Sequence, residues 1–598
     1  MEVILIRNNK MFSLIKKISV IPFVGSSLFF QLLITPIVHA AQLNPPTSSP
    51  AIYSQMAIHH PVWAKNAMVA TQEAIATKIG LDILKQGGNA IDAAVAVGYA
   101  LAVTLPRAGN LGGGGFMLVY LADKKQIVAI DYREKAPAAA FRDMYLNKQG
   151  EVIANRSTFH GLAIGVPGTV MGLEHARKNY GTLSRKQLMA PAIELAKQGI
   201  VVTADLANSL SAMQERLKKW PSTRQIFYKK DGSHYQAGDT LKQTDLAKTL
   251  TLISQQGESA FYQGEVATAI ASSIQQADGM LTQQDLKDYN VVERQAIQGN
   301  YRGYQVFSMP PPSSGGIHIV QILNMLENYD LAAMGHNSAQ HIHTLAETMR
   351  RAYADRSLHL GDSDFVKVPV QALISKAYAK QLITNINPDK ATPSSEIKPT
   401  TDLPYESDQT THFSIVDKWG NAISNTYTLN YSYGSGIVAK GTGILLNNEM
   451  DDFSAKPGHP NGYGLIGGEA NAIESGKRPL SSMSPTIVLK DKELFLVTGT
   501  PGGSRIITTT LQVISNVIDY NMNIAEATSA PRIHHQWLPD VIRIEAGLSA
   551  DTTRLLQVKG HQLQLKSTMG STQSIMSTER GLYGASDPRT PSSSSLGD

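Results

Sequence analysis

The chain has 598 residues, 42% hydrophobic and 17% charged, with no cysteine and a formal net charge of +5. That length calls for several domains or one large layered domain. The composition excludes a bundle of membrane spans, and the lack of cysteine excludes disulfides, thiol catalysis and thiolate metal sites.

At the start of the chain, Arg7, Lys10, Lys16 and Lys17 precede the apolar run LFFQLLITPIV, which closes on Val38-His39-Ala40 and Ala41. This is the pattern of a secretory leader over residues 1–41, with Met11 as an alternative start. Pro22, Gly25, Gln31 and Pro36 interrupt the run and leave fewer than the roughly 20 apolar residues a membrane span needs. Losing the leader removes four basic side chains and Glu2 from the +5 total, so the mature chain carries +2, which gives no footprint for nucleic acid.

From Gln42 to about His60 the chain is expected to be extended. Ile75, Ile79, Ile83 and Leu84 then recur at helical spacing up to Gly87-Gly88, and Asn89 is placed to cap a second, Ala- and Val-rich helix through Val103. The stretch RAGNLGGGGFMLVYLA reads as a glycine-rich turn entering an apolar strand, and QIVAIDYREKAP as a strand leaving at Tyr132-Arg133-Glu134. Leu162 to Ile274 reads as mostly helical. YRGYQVFSMPPPSSGGIHIVQIL reads as a strand, a rigid proline turn and a helix, and Ser338 caps a helical stretch expected to run to about Ile386. Lys390 to Gln409, with Pro393, Pro399 and Pro404 among polar residues, is expected to be exposed and mobile. HFSIVD and AISNTYTL flank KWGN as a hairpin, and the tail TPSSSSLGD is expected to be disordered. Mixed helices and strands of this kind imply layered α and β structure.

The hairpin begins on a Thr-Thr pair, directly where the polar run ends. Cleavage between Gln409 and Thr410 would make Thr410 an N-terminus. A threonine hydroxyl needs a base within hydrogen-bond reach, and a freed α-amine, with an ordinary pKa of about 7.7 to 8.0, supplies one on the same residue. The β-methyl restricts χ1 and holds the hydroxyl in one orientation. Taken alone, QTTHFS also fits a simple Thr-rich strand start.

The stretches GNLGGGGFML, DYREKAP, PPPSSGGIHIVQIL, QTTHFSIVDKWGNA, TYTLNYSYGSGI, GILLNNEMDDFSAKPG, KRPLSSMSPTI and TPGGSRIITT occur in this order between about His60 and Arg589. Through them the chain resembles the bacterial γ-glutamyltranspeptidases, or glutathione hydrolases, of the N-terminal-nucleophile hydrolase superfamily. The resemblance implies an α+β fold, a four-layer αββα sandwich. It also implies a proenzyme that cuts itself into a large subunit, 42–409, and a small catalytic subunit, 410–598, which stay together as a heterodimer. It implies glutathione and other γ-glutamyl compounds as donors, amino acids or dipeptides as acceptors, and no cofactor.

The same resemblance assigns roles. Thr410 is the nucleophile and Thr428 its hydrogen-bonding partner, and Gly502 and Gly503 supply oxyanion-hole amides. Arg133, Ser481 and Ser482 hold the donor's α-carboxylate, while Asp452, Asn430 and Glu449 receive its α-ammonium. Pro457 to Gly468 is a covering loop with Tyr463 as its aromatic. Where some relatives carry glutamine, Glu449 is expected to strengthen ammonium binding or change its pH dependence. Read by position alone, Arg133 is a charged residue after a strand and is expected on the surface.

Gly112 to Gly115 lacks a Walker lysine pattern and is expected to serve close backbone packing. His59-His60 and His534-His535 are adjacent pairs, and His341 and His343 are two apart on a helix, so none has metal-ligand spacing and no metal is expected. Two other readings stay open. One is a non-catalytic periplasmic binding protein on the same fold. The other is a related amide acylase, disfavoured because an acylase acting on glutaryl side chains needs no partner for an ammonium, which Asp452 provides.

Overall fold

The computed structural model describes residues 60–397 and 410–598. The leader, Gln409 and the last part of the polar run fall outside them. Two seven-stranded sheets form the frame. The first runs Ser594–Gly597, Met68–Thr71, Thr411–Val416, Ala422–Thr428, Gly114–Leu121, Gln126–Tyr132 and Val292–Arg294. The second includes Tyr304–Ser308, Thr486–Lys490, Glu493–Thr498, Gln573–Thr578 and Gly581–Ser586.

The period of two along each strand builds the layers. Phe116, Leu118 and Tyr120 point between the sheets, where they meet Ile487, Leu489, Val497 and Ile575. Met117, Val119 and Leu121 point the other way, into a helical layer. That layer is led by Ala90–Thr104, whose small side chains are all buried and whose N-cap Asn89 closes a capping box with Asp92. On the opposite flank, Gly315–Leu326, Ala339–His359 and Arg505–Tyr520 cover the second sheet. The expected αββα order is the order observed.

Three local expectations give way. The tail is an edge strand, not a disordered segment: Ser594–Gly597 pairs with Met68–Thr71, and Asn66 N donates to Asp598 O at 2.7 Å. Polar composition does not prevent this, because the ladder is made of backbone groups. Helical structure after Ser338 stops at His359 and resumes only as Val370–Leu373 and Lys376–Ile383. Gly361 lies against the Ala470 carbonyl, and Pro369 follows. Lys390 to Ile397 is fixed rather than free: Trp537 Nε1 donates to the carbonyls of Ser394 and Ile397, and Ser394 N donates to Asp540.

Candidate active site

The hairpin is in register with Thr411 opposite Tyr427 and His412 opposite Thr426. His412 packs against Gly499 of the facing sheet, so the even-numbered positions face the gap between the sheets. One step outward, Thr410 and Thr428 form the next cross-strand pair. Thr410 Oγ1 donates to Thr428 Oγ1 at 3.2 Å, and Thr428 Oγ1 accepts from Asn430 N at 2.8 Å. Thr410 is 6% exposed, at the mouth of a small cleft bordered by Arg133, Asn430, Glu449, Asp452, Ser481 and Ser482. Tyr463 and Gly503 close the cleft.

Arg133 is fully buried, which corrects the surface reading from position alone. Its guanidinium pairs with Glu449 and with Asp452, and Nε donates to Pro479 O at 3.2 Å. Charged groups this deep persist only with partners. Burial opposes Arg133's charge, but Glu449 and Asp452 hold its pKa above the ordinary arginine value. The acids gain less. Burial pushes Glu134 up to about 7 and Asp451 up to about 6, and raises Glu449 and Asp452 as well. Both oxygens of Glu134 and Oε2 of Glu449 accept no hydrogen bond among the described residues.

Ser481 Oγ accepts from Met483 N at 3.0 Å, and Ser482 Oγ accepts from Arg356 Nη2 at 3.2 Å. Each hydroxyl hydrogen therefore remains for donation into the cleft. An α-amino acid carries its ammonium and carboxylate on one carbon, so adjacent carboxylates and a guanidinium flanked by hydroxyls match that headgroup.

Gly502 and Gly503 have φ of 134° and 54°, a region open to glycine. A Cβ on Gly503 would lie 2.5 Å from the Tyr463 ring. Both glycines precede the 16-residue helix Arg505–Tyr520, whose N-terminal dipole favours negative charge at this point. The covering loop is itself a small hairpin: Gly458 N donates to Gly467 O at 3.0 Å and Asn461 N to Leu465 O at 3.1 Å. Tyr463 OH donates to Asn430 O at 2.8 Å, tying the loop to the floor of the site. The glycine run does serve close packing, since a Cβ on Gly113 would sit 1.9 Å from Thr428 O.

The structure thus brings Thr410, Thr428, Arg133, Asn430, Glu449, Asp452, Ser481, Ser482, Tyr463 and Gly503 around one cleft, with Gly502 beside it. Sequence reasoning missed Arg356, which reaches Ser482 from the helix Ala339–His359, and Asp451, which accepts from Ser157 and Tyr431. Arg356 sits in a buried run of that helix and has no local motif. Asp451 is adjacent to an assigned acid, which was the available signal. Reading the histidines by spacing also missed that His343 meets His561 at 2.8 Å beside Glu347. Glu347 is already engaged by Arg350, Arg351 and Thr392 N, as in a hydrogen-bonded structural cluster.

A sequence model of the family described as Gamma-glutamyltranspeptidase matches residues 76–596. The glutathione hydrolase proenzyme of Escherichia coli K12 is 57% identical over 548 residues, covering 91% of this chain and 94% of that protein. Acylase ACY 1 proenzyme of Pseudomonas sp. V22 is 36% identical over 529 residues, covering 87% and 91%. Among solved structures, cephalosporin acylase from Bacillus halodurans superposes with a TM-score of 0.80 at 28% identity, covering 92% of this chain and 99% of that one. The γ-glutamyltranspeptidase of Helicobacter pylori gives 0.54 at 47% identity, covering 59% and 97%.

Proposed function

The chain belongs to the γ-glutamyltranspeptidase family, and from that premise we propose that it is a self-processing γ-glutamyltransferase and glutathione hydrolase whose nucleophile is Thr410. One observation carries the reading: the Thr410 hydroxyl, held by Thr428, opens onto a buried cleft that pairs a guanidinium with two carboxylates.

In the precursor, Thr410 Oγ attacks the Gln409 carbonyl carbon and the C–N bond breaks, leaving an ester that water opens. The released α-amine of Thr410 then serves as base. In the mature enzyme the donor's α-carboxylate lies against Arg133, Ser481 and Ser482, and its α-ammonium against Asp452, Asn430 and Glu449. The γ-carbonyl lies at Thr410. Attack forms a C–Oγ bond, negative charge collects on the carbonyl oxygen, and the amides of Gly502 and Gly503 at the helix N-terminus stabilise it. The Thr410 amine takes the hydroxyl proton and returns it to the leaving amine. Water or an acceptor amine then releases the γ-glutamyl group. The covering loop with Tyr463 excludes bulk water. Export through the 1–41 leader and the subunit boundary at 409/410 belong to this proposal. Among the described residues, no helix is long and apolar enough to cross a membrane.

N-terminal sequencing together with amine release from a γ-glutamyl anilide tests the proposal. Two chains, one starting at Thr410, with release of the amine, are expected. In Thr410→Ala, one uncut chain is expected, with activity down by about 10³-fold or more. An active protein whose 409–410 bond is intact would overturn the mechanism.

A further inference from the structure

The donor cleft holds a second buried guanidinium. Arg356, from the helix Ala339–His359, is 5% exposed and borders the cleft with Arg133, Asp452, Ser481 and Ser482. The two arginines are matched in opposite ways. Arg133 meets Glu449 and Asp452, with Glu134 at 3.7 Å, and its Nε is taken by Pro479 O. Arg356 has no acid at ion-pair distance among the described residues. Its hydrogen bonds go to two hydroxyls: Nε donates to Ser314 Oγ at 3.0 Å and Nη2 to Ser482 Oγ at 3.2 Å. Burial brings its pKa down to about 10, with Tyr353 and Asp452 raising it and Arg133 lowering it. At neutral pH it is therefore a buried cation whose contacts carry no charge.

This difference decides which cation an incoming carboxylate answers. One ionised acid already balances Arg133, and a second leaves that set negative, so a carboxylate placed there meets like charge. A buried charge without a partner is costly, and a ligand carboxylate removes that cost at Arg356. The guanidinium is also tied to both serines of the cleft. Ser314 Oγ accepts from Arg356 Nε and donates to Ser481 O at 2.8 Å, so one side of the fork fixes the Ser481 backbone. The other side donates to the Ser482 hydroxyl. A hydroxyl that accepts from a cation turns its own hydrogen away from that cation, and its polarisation strengthens the bond it donates to an anion.

We propose that Arg356 is a positioning residue for donor selection: it supplies the uncompensated charge that favours an α-carboxylate over a neutral group, and it acts through the Ser482 hydroxyl. The proposal rests on the function assigned above and adds to it a residue outside the resemblance. Arg133 is then the planar fork that orients the headgroup, and Arg356 the charge that makes the site prefer an anion.

The test compares two donors on the same processed sample: a γ-glutamyl anilide, and its counterpart carrying an α-carboxamide in place of the α-carboxylate. The ratio of their kcat/KM values does not depend on how much of the sample is active, so partial misfolding leaves it in place. In the wild type the carboxylate donor is expected to be better by about 100-fold or more. Arg356→Gln should cut that preference about 10-fold, chiefly by raising KM for the carboxylate donor while its kcat is nearly kept. Arg356→Lys keeps the charge and loses the fork, so its preference should fall between the two. Adding Ser482→Ala to Arg356→Gln should cost little beyond the larger single change, because both act on one contact. A wild-type preference near one, or a preference that Arg356→Gln leaves unchanged, overturns the proposal. An equal loss for both donors does so too, and marks Arg356 as structural. If the glutamine variant yields no processed enzyme, an unchanged preference in Arg356→Lys overturns it instead. Amine release from the carboxylate donor is read on the same samples: its absence in the wild type would sink the functional reading itself, whereas release with a preference indifferent to Arg356 sinks only this inference.

Discussion

Two of the buried charge clusters in this molecule, around Arg133 and around Arg350, differ in how fully their acids are matched. Around Arg133, three acids, Glu134, Glu449 and Asp452, share one buried guanidinium, and both oxygens of Glu134 and Oε2 of Glu449 accept no hydrogen bond among the described residues. Around Arg350 the buried acid is engaged at both oxygens. Glu347 receives Arg350, Arg351 and Thr392 N, while Arg350 also reaches Ser394 at 3.1 Å and Asp540 at 3.0 Å. The acids report the difference. Burial opposes ionisation of Glu347, but Arg350 and the Thr392 and Arg351 hydrogen bonds bring it down to about 2, whereas burial pushes Glu134 up to about 7. A buried cluster that satisfies itself holds the fold together. One that leaves acceptors unmatched is ready for a ligand's donors.

The largest break of this contrast is at Arg133. Arg133→Lys keeps the charge but loses the planar fork, so donor kcat/KM is expected to fall about 100-fold or more, with only a small change in melting temperature. An equal fall in stability and activity would make Arg133 a structural residue. Arg350→Met is the mirror experiment. Leaving Glu347 with a broken partner set should cost about 3–5 kcal/mol in denaturant unfolding, while the folded fraction keeps its kcat.

The pH dependence of stability separates the clusters by sign. Asp451 and Glu134 have folded pKa values raised above their ordinary 3.8 and 4.5. Their contribution is fully present below those ordinary values and is lost as pH rises through about 6 and 7. Glu347 is depressed, so its contribution is present above 4.5 and is lost as pH falls towards about 2. Unfolding measured between pH 4.5 and 7 should therefore show a decline that Asp451→Asn flattens and Glu347→Gln does not. The smallest effect is expected from Glu449→Gln: a shift of a few-fold in donor KM that changes with pH. An unmoved profile would remove Glu449 from ammonium binding.

Much of the frame was legible. Apolar runs gave the strands Gly114–Leu121 and Gln126–Tyr132, Asn89 and Ser338 gave helix starts, and alternation around KWGN gave the hairpin that sets Thr410 against Thr428. The tail strand was hidden because backbone pairing leaves no mark in composition. The break after His359 was hidden because its cause includes a contact between Gly361 and Ala470.

By itself, the sequence determined the apolar and alternating runs that become strands, the self-activating chemistry available to a threonine at a cleavable seam, and a family resemblance that implied the layered fold and assigned the donor-binding residues. Tertiary structure alone decided that Arg133 is buried and that Arg356 reaches Ser482. The physical reason is distance along the chain. Strand and helix periods are local, whereas desolvation and charge pairing depend on neighbours more than 100 residues away, which only the packed layers bring together.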